Sequence, residues 1–152
     1  EQAKQQSWYD NTLFIVVADH SHNTIKQWSP AMAEHSHIPL LMLGGALKDE
    51  WKGKTWDKIV SQLDIASGLL HQMHLPAERY PWSRNLFNPT TPSSAYYIFF
   101  GGQGYINENG YAASHQGNAA HIETNMTDSL QIRANHDKAM SFQQLVYEIV
   151  GK

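Results

Sequence analysis

The chain has 152 residues, enough apolar content for one ordinary core, and a formal net charge of −3 at pH 7. A weakly acidic chain with no basic stripe gives no indication of a nucleic-acid partner. The absence of Cys excludes a disulfide framework, a thiolate zinc site and a Cys nucleophile.

Residues 13–18 form an unbroken apolar run that ends on Asp19 and His20. A run without polar alternation predicts a strand covered on both faces, which is typical of a parallel sheet. In such sheets the ligand crevice lies beyond the carboxyl ends of the strands. Asp19 and His20 are therefore candidate ligands of a divalent metal. The alternative from these residues alone is that Asp19 caps the next segment and His20 faces solvent.

A parallel strand needs neighbours of its own kind, and this one would be the first in the chain. We therefore expect the segment to belong to a longer protein whose missing part lies upstream.

The next part of the chain contains a second apolar run, residues 37–43, stopped by Gly44 and Gly45. A short helix is predicted at residues 31–34, in the loop before this run. His35 and His37 either line the crevice or are exposed loop histidines. Helical spacing of apolar residues then predicts a helix that runs to about residue 73, with Asp64 as a candidate N-cap.

The last third of the chain changes to an antiparallel pattern. Strands are predicted at residues 96–100, 105–106 and 111–114, with a weaker one at 120–123. The Asn-Gly pair at residues 109 and 110 predicts a type I′ hairpin turn. The tyrosines of this unit either form a sugar-binding shelf or a half-buried face of the sheet.

A closing amphipathic helix is predicted at residues 141–149, with its apolar face at Phe142, Leu145, Val146 and Ile149. Three histidines without ligand spacing are expected on the surface: His115, His121 and His136.

Four segments occur in the order and spacing of the sulfatase-like branch of the alkaline phosphatase superfamily. They are residues 16–20 (VVADH), 37–45 (HIPLLMLGG), 61–70 (SQLDIASGLL) and 85–87 (NLF). The chain most resembles the lipoteichoic acid synthase and phosphoglycerol transferase group. Residues 95–111 are similar to the antiparallel piece that follows in those enzymes.

The resemblance implies an α/β fold, the C-terminal portion of an alkaline-phosphatase-like sandwich. Most of its strands would be parallel and flanked by helices, with a small antiparallel sheet near the C-terminus. Residues 1–92 would form the C-terminal part of the sulfatase-like core. Residues 93–152 would supply the antiparallel strands and closing helix of the same domain.

The resemblance also implies a metal-dependent phosphotransferase or a sulfuric or phosphoric ester hydrolase. Asp19 and His20 match the family's metal-binding pair, and His22 and His37 are expected to contact substrate. The Thr or Ser nucleophile is expected upstream, so no catalytic nucleophile is assigned within this chain. Oxygen and imidazole ligands favour Mn or Zn, with Ca and Mg left open. Because stable sites offer three or four protein ligands, we expect this chain alone to be inactive and to bind metal weakly.

The expected partner is a phosphate or sulfate ester, lipid- or glycan-linked in this group, and not a nucleic acid. The group's location implies an extracytoplasmic domain, periplasmic or on the outer face of the inner membrane, in a membrane-anchored parent. Two alternatives stay open: a non-catalytic glycan- or partner-binding module, and a relative that kept the fold and lost the chemistry.

Overall fold

The computed structural model describes residues 1–21, 26–116 and 118–151. The helices in these ranges are α1 (Ala33–Ser36), α2 (Asp64–Gln72) and α3 (Ser129–Val150). The strands are β1 (Phe14–Val17), β2 (Leu40–Leu43), β3 (Ser94–Phe99), β4 (Gly102–Asn107), β5 (Gly110–His115) and β6 (Ile122–Thr124). Single turns of 3-10 helix lie at Gln2–Gln5, Tyr9–Asn11 and Asp49–Trp51.

Strands β1 and β2 pair with each other as an antiparallel two-stranded sheet, the β1–β2 ribbon. This corrects the expectation of mostly parallel pairing, because no parallel pair occurs in the described part of the chain. The ribbon is also not covered on both faces: Val16 is 58% exposed, and its pairing partner Leu41 is 56% exposed. An apolar run predicts that a strand exists, but it contains no information about the direction of the neighbouring strand.

The second sheet is antiparallel, with strand order β3-β4-β5-β6. The hairpin turn between β4 and β5 is at the predicted place, because Asn107 pairs with Gly110 across two loop residues. The turn is not type I′, since Gly110 has φ +136° whereas Glu108 and Asn109 both have negative φ. The Asn107 side chain instead stabilises the turn by accepting a hydrogen bond from the Asn109 N–H at 3.0 Å.

One face of this sheet packs against α1 and the loop before it. The buried cluster there contains Ala31, Ala33, Tyr97, Tyr111 and Ala113. The Tyr97 hydroxyl donates to the Ala31 carbonyl at 2.8 Å, which ties β3 to the loop before α1. Tyr97 and Tyr111 are therefore core residues, and the aromatic shelf considered from the sequence is not formed by them.

The other face of the sheet packs against α3, which begins twelve residues earlier than the pattern predicted. The Asp128 side chain caps its first turn by accepting from the Leu130 N–H at 2.9 Å. His136, expected on the surface, is buried and pairs with the Ser114 hydroxyl at 3.2 Å. Of the predicted apolar face, Phe142 packs on Tyr96.

The other three residues of the predicted face of α3 are largely exposed: Leu145, Val146 and Ile149. None of the helices in the described ranges is long and apolar enough to cross a lipid bilayer.

The predicted central helix is present as α2, and its buried face packs against the loop around Leu86. Gly68 allows this contact, because a Cβ there would lie 2.9 Å from Leu86 Cγ. Asp64 is the first residue of the helix and is buried, so it is not the simple N-cap expected from the sequence.

Candidate metal site

Asp19 and His20 follow directly after the carboxyl end of β1, separated from it by Ala18. Both side chains lie open to solvent, with Asp19 89% and His20 75% exposed. Asp19 Oδ1 accepts a hydrogen bond from the His20 backbone N–H at 2.9 Å, which leaves Oδ2 available. Asp19 Oδ2 and His20 Nε2 lie 3.6 Å apart, so the structure brings the two predicted ligands side by side.

The His20 ring is oriented by its second nitrogen. Nδ1 lies 2.8 Å from the carbonyl oxygen of Ser21, which accepts only if Nδ1 carries the proton. In the neutral ring this contact assigns the lone pair to Nε2, the atom that faces Asp19. A backbone carbonyl that holds the non-ligating nitrogen is the usual support of a metal-binding His.

The donor set of the pair fits part of a divalent metal site. A carboxylate oxygen and a neutral imidazole nitrogen suit Mn and Zn. Two ligands at about 2.1 Å from one tetrahedral ion lie about 3.4 Å apart, close to the observed 3.6 Å. The set is incomplete, because the described residues contain no group of three or more His, Cys, Asp or Glu arranged to hold an ion.

Of the two predicted substrate contacts, the structure describes only His37, and it does not join His37 to this pair. His37 ends α1, where its N–H donates to the Glu34 carbonyl at 3.4 Å, and its side chain is exposed. No hydrogen bond or ion pair in the described ranges links His37 to Asp19 or His20. His22 lies outside the described residues.

A hydrogen-bonded network that the sequence did not predict connects α2 to the second sheet. Asp64 is 1% exposed and binds Arg84 through both carboxylate oxygens, at 2.8 Å to the backbone N–H and 2.6 Å to Nη2. Arg84 also donates to the hydroxyl and the carbonyl of Ser94 at the start of β3. The only sequence signal was an Asp near a helix start, which is equally typical of an exposed cap.

The sequence also did not predict a contact made by Gln62, which lies just before α2. Its side-chain amide donates to the carbonyl oxygen of Ala18 at 3.1 Å, across 44 residues of sequence. The residue after Ala18 is Asp19, so this bond reaches the backbone that carries the candidate ligands.

Two surface grooves of the described part lie away from the pair. One, of about 490 Å³, is lined among others by Asp57, Lys58 and Glu108. The other, of about 620 Å³, runs along α3 beside Met140 and Tyr147. The candidate metal ligands therefore lie on the open surface at the end of β1 and line neither groove.

The fold itself has a known counterpart. No protein-family model matches the chain. Among solved structures, the chain is similar to a protein in the alkaline phosphatase superfamily from Vibrio parahaemolyticus, with a TM-score of 0.70 and 21% sequence identity. The match covers 97% of this chain and 38% of that chain. This likeness confirms the predicted class, an α/β portion of an alkaline-phosphatase-like fold.

Proposed function

We propose that this chain is the C-terminal part of a metal-dependent phosphotransferase or of a sulfuric or phosphoric ester hydrolase. Asp19 and His20 hold a divalent metal, and a Thr or Ser nucleophile comes from an upstream segment. The observation that carries the proposal is the 3.6 Å approach of Asp19 Oδ2 and His20 Nε2 at the open end of β1. The likeness in fold to an alkaline phosphatase superfamily protein supports it.

Each residue of the pair has a separate task in this proposal. Asp19 supplies negative charge to the ion through Oδ2, while Oδ1 stays bonded to the backbone. His20 supplies the neutral Nε2, with Nδ1 held by the Ser21 carbonyl. A divalent ion held by this pair, Mn or Zn by ligand type, would lower the pKa of a hydroxyl nucleophile and offset negative charge on the transferred group.

Two observations besides the incomplete ligand set support a longer domain. The β1–β2 ribbon exposes Val16, Leu41 and Leu43, whereas an isolated two-stranded sheet is at best marginally stable in water. The chain also spans only 38% of the structural relative. In our proposal the upstream part of the same domain covers the ribbon and completes the ligand set.

The finer assignment rests on the four motifs between residues 16 and 87. By that resemblance we propose the phosphoglycerol transferase and lipoteichoic acid synthase group. The substrate is then a lipid- or glycan-linked phosphate ester, with a sulfate ester as the other chemistry, and the domain lies outside the cytoplasm in a membrane-anchored parent. Two of the tyrosines on which the glycan-binding alternative rests, Tyr97 and Tyr111, are buried.

Titration of the ¹⁵N-labelled chain with Mn²⁺ tests the site directly. Paramagnetic broadening is expected first at the amides of Asp19, His20 and Ser21, at weak affinity because only two ligands are present. Asp19→Asn and His20→Ala are each expected to remove this local broadening. The chain alone is expected not to turn over p-nitrophenyl phosphate or p-nitrophenyl sulfate.

The chain contains a matched control, the pair His115 Nε2 and Glu123 Oε1, which also lie 3.6 Å apart. Glu123→Gln is expected to leave the broadening at residues 19–21 unchanged. Broadening centred on His115 and Glu123, or retained at residues 19–21 in D19N, would contradict the metal assignment. Turnover by the isolated chain would contradict the upstream position of the nucleophile.

A further inference from the structure

We propose that Gln62 is a positioning residue for the Asp19–His20 pair, an inference that rests on the proposed function. The Gln62 side-chain amide donates to the Ala18 carbonyl oxygen at 3.1 Å. It thereby connects the start of the α2 segment to the end of β1. Within the described residues, the Gln62 side chain bonds to the Ala18 carbonyl and not to the Asp19 or His20 side chain, so we place its action on the backbone that carries them.

The peptide unit explains why this contact matters for the ligands. The Ala18 carbonyl, the Asp19 N–H and the Asp19 Cα lie in one plane, because the peptide bond has partial double-bond character. A donor that fixes the direction of the Ala18 oxygen therefore fixes the plane from which the Asp19 side chain leaves. Asp19 Oδ1 accepts a hydrogen bond from the His20 N–H. The orientation of the Asp19 side chain is therefore linked to the position of the His20 backbone.

The donor itself is held on a rigid frame. The Ser61 N–H donates to Asp64 Oδ2 at 2.9 Å, and the Ile65 N–H donates to the Gln62 carbonyl at 3.3 Å. These bonds enclose Gln62 in the turn that begins α2. Asp64 is buried and bonded to Arg84 through both oxygens, which ties the turn to the rest of the fold.

The frame continues into the second sheet. Arg84 Nη2 donates to the Ser94 carbonyl at 2.7 Å, and Nη1 donates to the Ser94 hydroxyl at 2.9 Å. The Ser94 N–H in turn donates to the Ile59 carbonyl at 3.0 Å. A continuous set of hydrogen bonds thus runs from β3 through Arg84, Asp64 and the Gln62 turn to the end of β1.

The test uses Gln62→Met, which keeps a similar side-chain length and removes the amide donor. Gln72→Met is the matched control, an exposed Gln at the last residue of α2. The dissociation constant for Mn²⁺ is measured from broadening at residues 19–21, and the Tm is measured in parallel. We expect Q62M to raise the dissociation constant roughly 3- to 10-fold, at or below the low end of losses seen for supporting groups of metal ligands. The Tm of Q62M and both readouts of Q72M are expected to stay at wild-type values.

A second readout needs no metal. The ¹⁵N order parameter of the Asp19 amide in the metal-free chain is expected to fall in Q62M and not in Q72M. An unchanged order parameter overturns the positioning role even if Mn²⁺ does not bind at all, so failure of the proposed function is distinguishable from failure of this inference. If Mn²⁺ binds at residues 19–21 with equal affinity in wild type and Q62M, the inference is also overturned.

Discussion

Tyr97 shows how a single side chain stabilises the core and makes it sensitive to alkaline pH. Burial, together with the nearby Tyr111, Glu34 and Glu123, raises the pKa of Tyr97 far above its usual range. Burial likewise raises the pKa of Tyr111. The folded chain therefore keeps these protons to a higher pH than the unfolded chain, whose tyrosines titrate near about 10. The stability associated with the neutral rings is complete below that pH and is lost as the pH rises above it.

We expect Tyr97→Phe to have opposite effects at neutral and alkaline pH. At pH 7 it lowers the free energy of unfolding by about 1 kcal/mol, because the hydrogen bond to the Ala31 carbonyl is lost. Above pH 10 the stability of Y97F falls less steeply than that of the wild type. Urea midpoints between pH 7 and 11 measure both effects, with Tyr147→Phe as a control at an exposed tyrosine. If the urea midpoints of Y97F and wild type fell equally steeply above pH 10, Tyr97 would not be a source of the alkaline loss of stability.

At the scale of elements, α2 is joined to β3 by the Asp64–Arg84–Ser94 network. Asp64→Ala removes the acceptor of the Ser61 and Arg84 backbone N–H groups and leaves the Arg84 guanidinium without its carboxylate. Breaking a buried pair costs about 3–5 kcal/mol. Because the Arg84 side chain is 34% exposed and regains some water, we expect a loss of about 3 kcal/mol in the free energy of unfolding.

Urea denaturation of D64A measures this loss. Asp49→Ala is the control, since Asp49 forms an ion pair with Lys52 on the surface, 2.7 Å away, and no change in its midpoint is expected. A D64A midpoint equal to that of D49A would show that the network does not stabilise the fold.

The elements also show where local patterns were sufficient. The hairpin at Asn107–Gly110 and the helix α2 were predicted close to their observed positions, because turn residues and helical periodicity act over a few neighbours. The first half of α3 was missed because its inward face contains the polar residues Asn135 and His136. The buried Asn135 side chain donates to the Gly110 carbonyl at 2.9 Å. Only the folded hairpin supplies this partner.

At the scale of the whole molecule, the β1–β2 ribbon is where we expect this chain to differ from the longer domain that we propose. One face of the ribbon is exposed in this chain and is expected to be covered in that domain. Leu41→Lys in the 152-residue chain is expected to change the free energy of unfolding by less than about 0.5 kcal/mol, because the site is open. In the full-length parent the same change is expected to cost several kcal/mol, since it buries an unpaired charge.

Urea denaturation of both proteins measures the difference. Met73→Lys serves as a control at another exposed apolar residue, and it is expected to have the same small effect in this chain. A small effect of L41K in the parent would show that the ribbon is not covered there.

The sequence by itself determined the apolar runs, the turns and the adjacency of Asp19 and His20, since each depends on residues close together in the chain. Only the tertiary structure decided that β1 and β2 pair antiparallel, that Asp64 and His136 are buried, and that Gln62 reaches Ala18. These features depend on partners that are distant in sequence. A residue's polarity predicts whether it needs a hydrogen-bond partner, but the position of that partner is set by the packing of the whole chain.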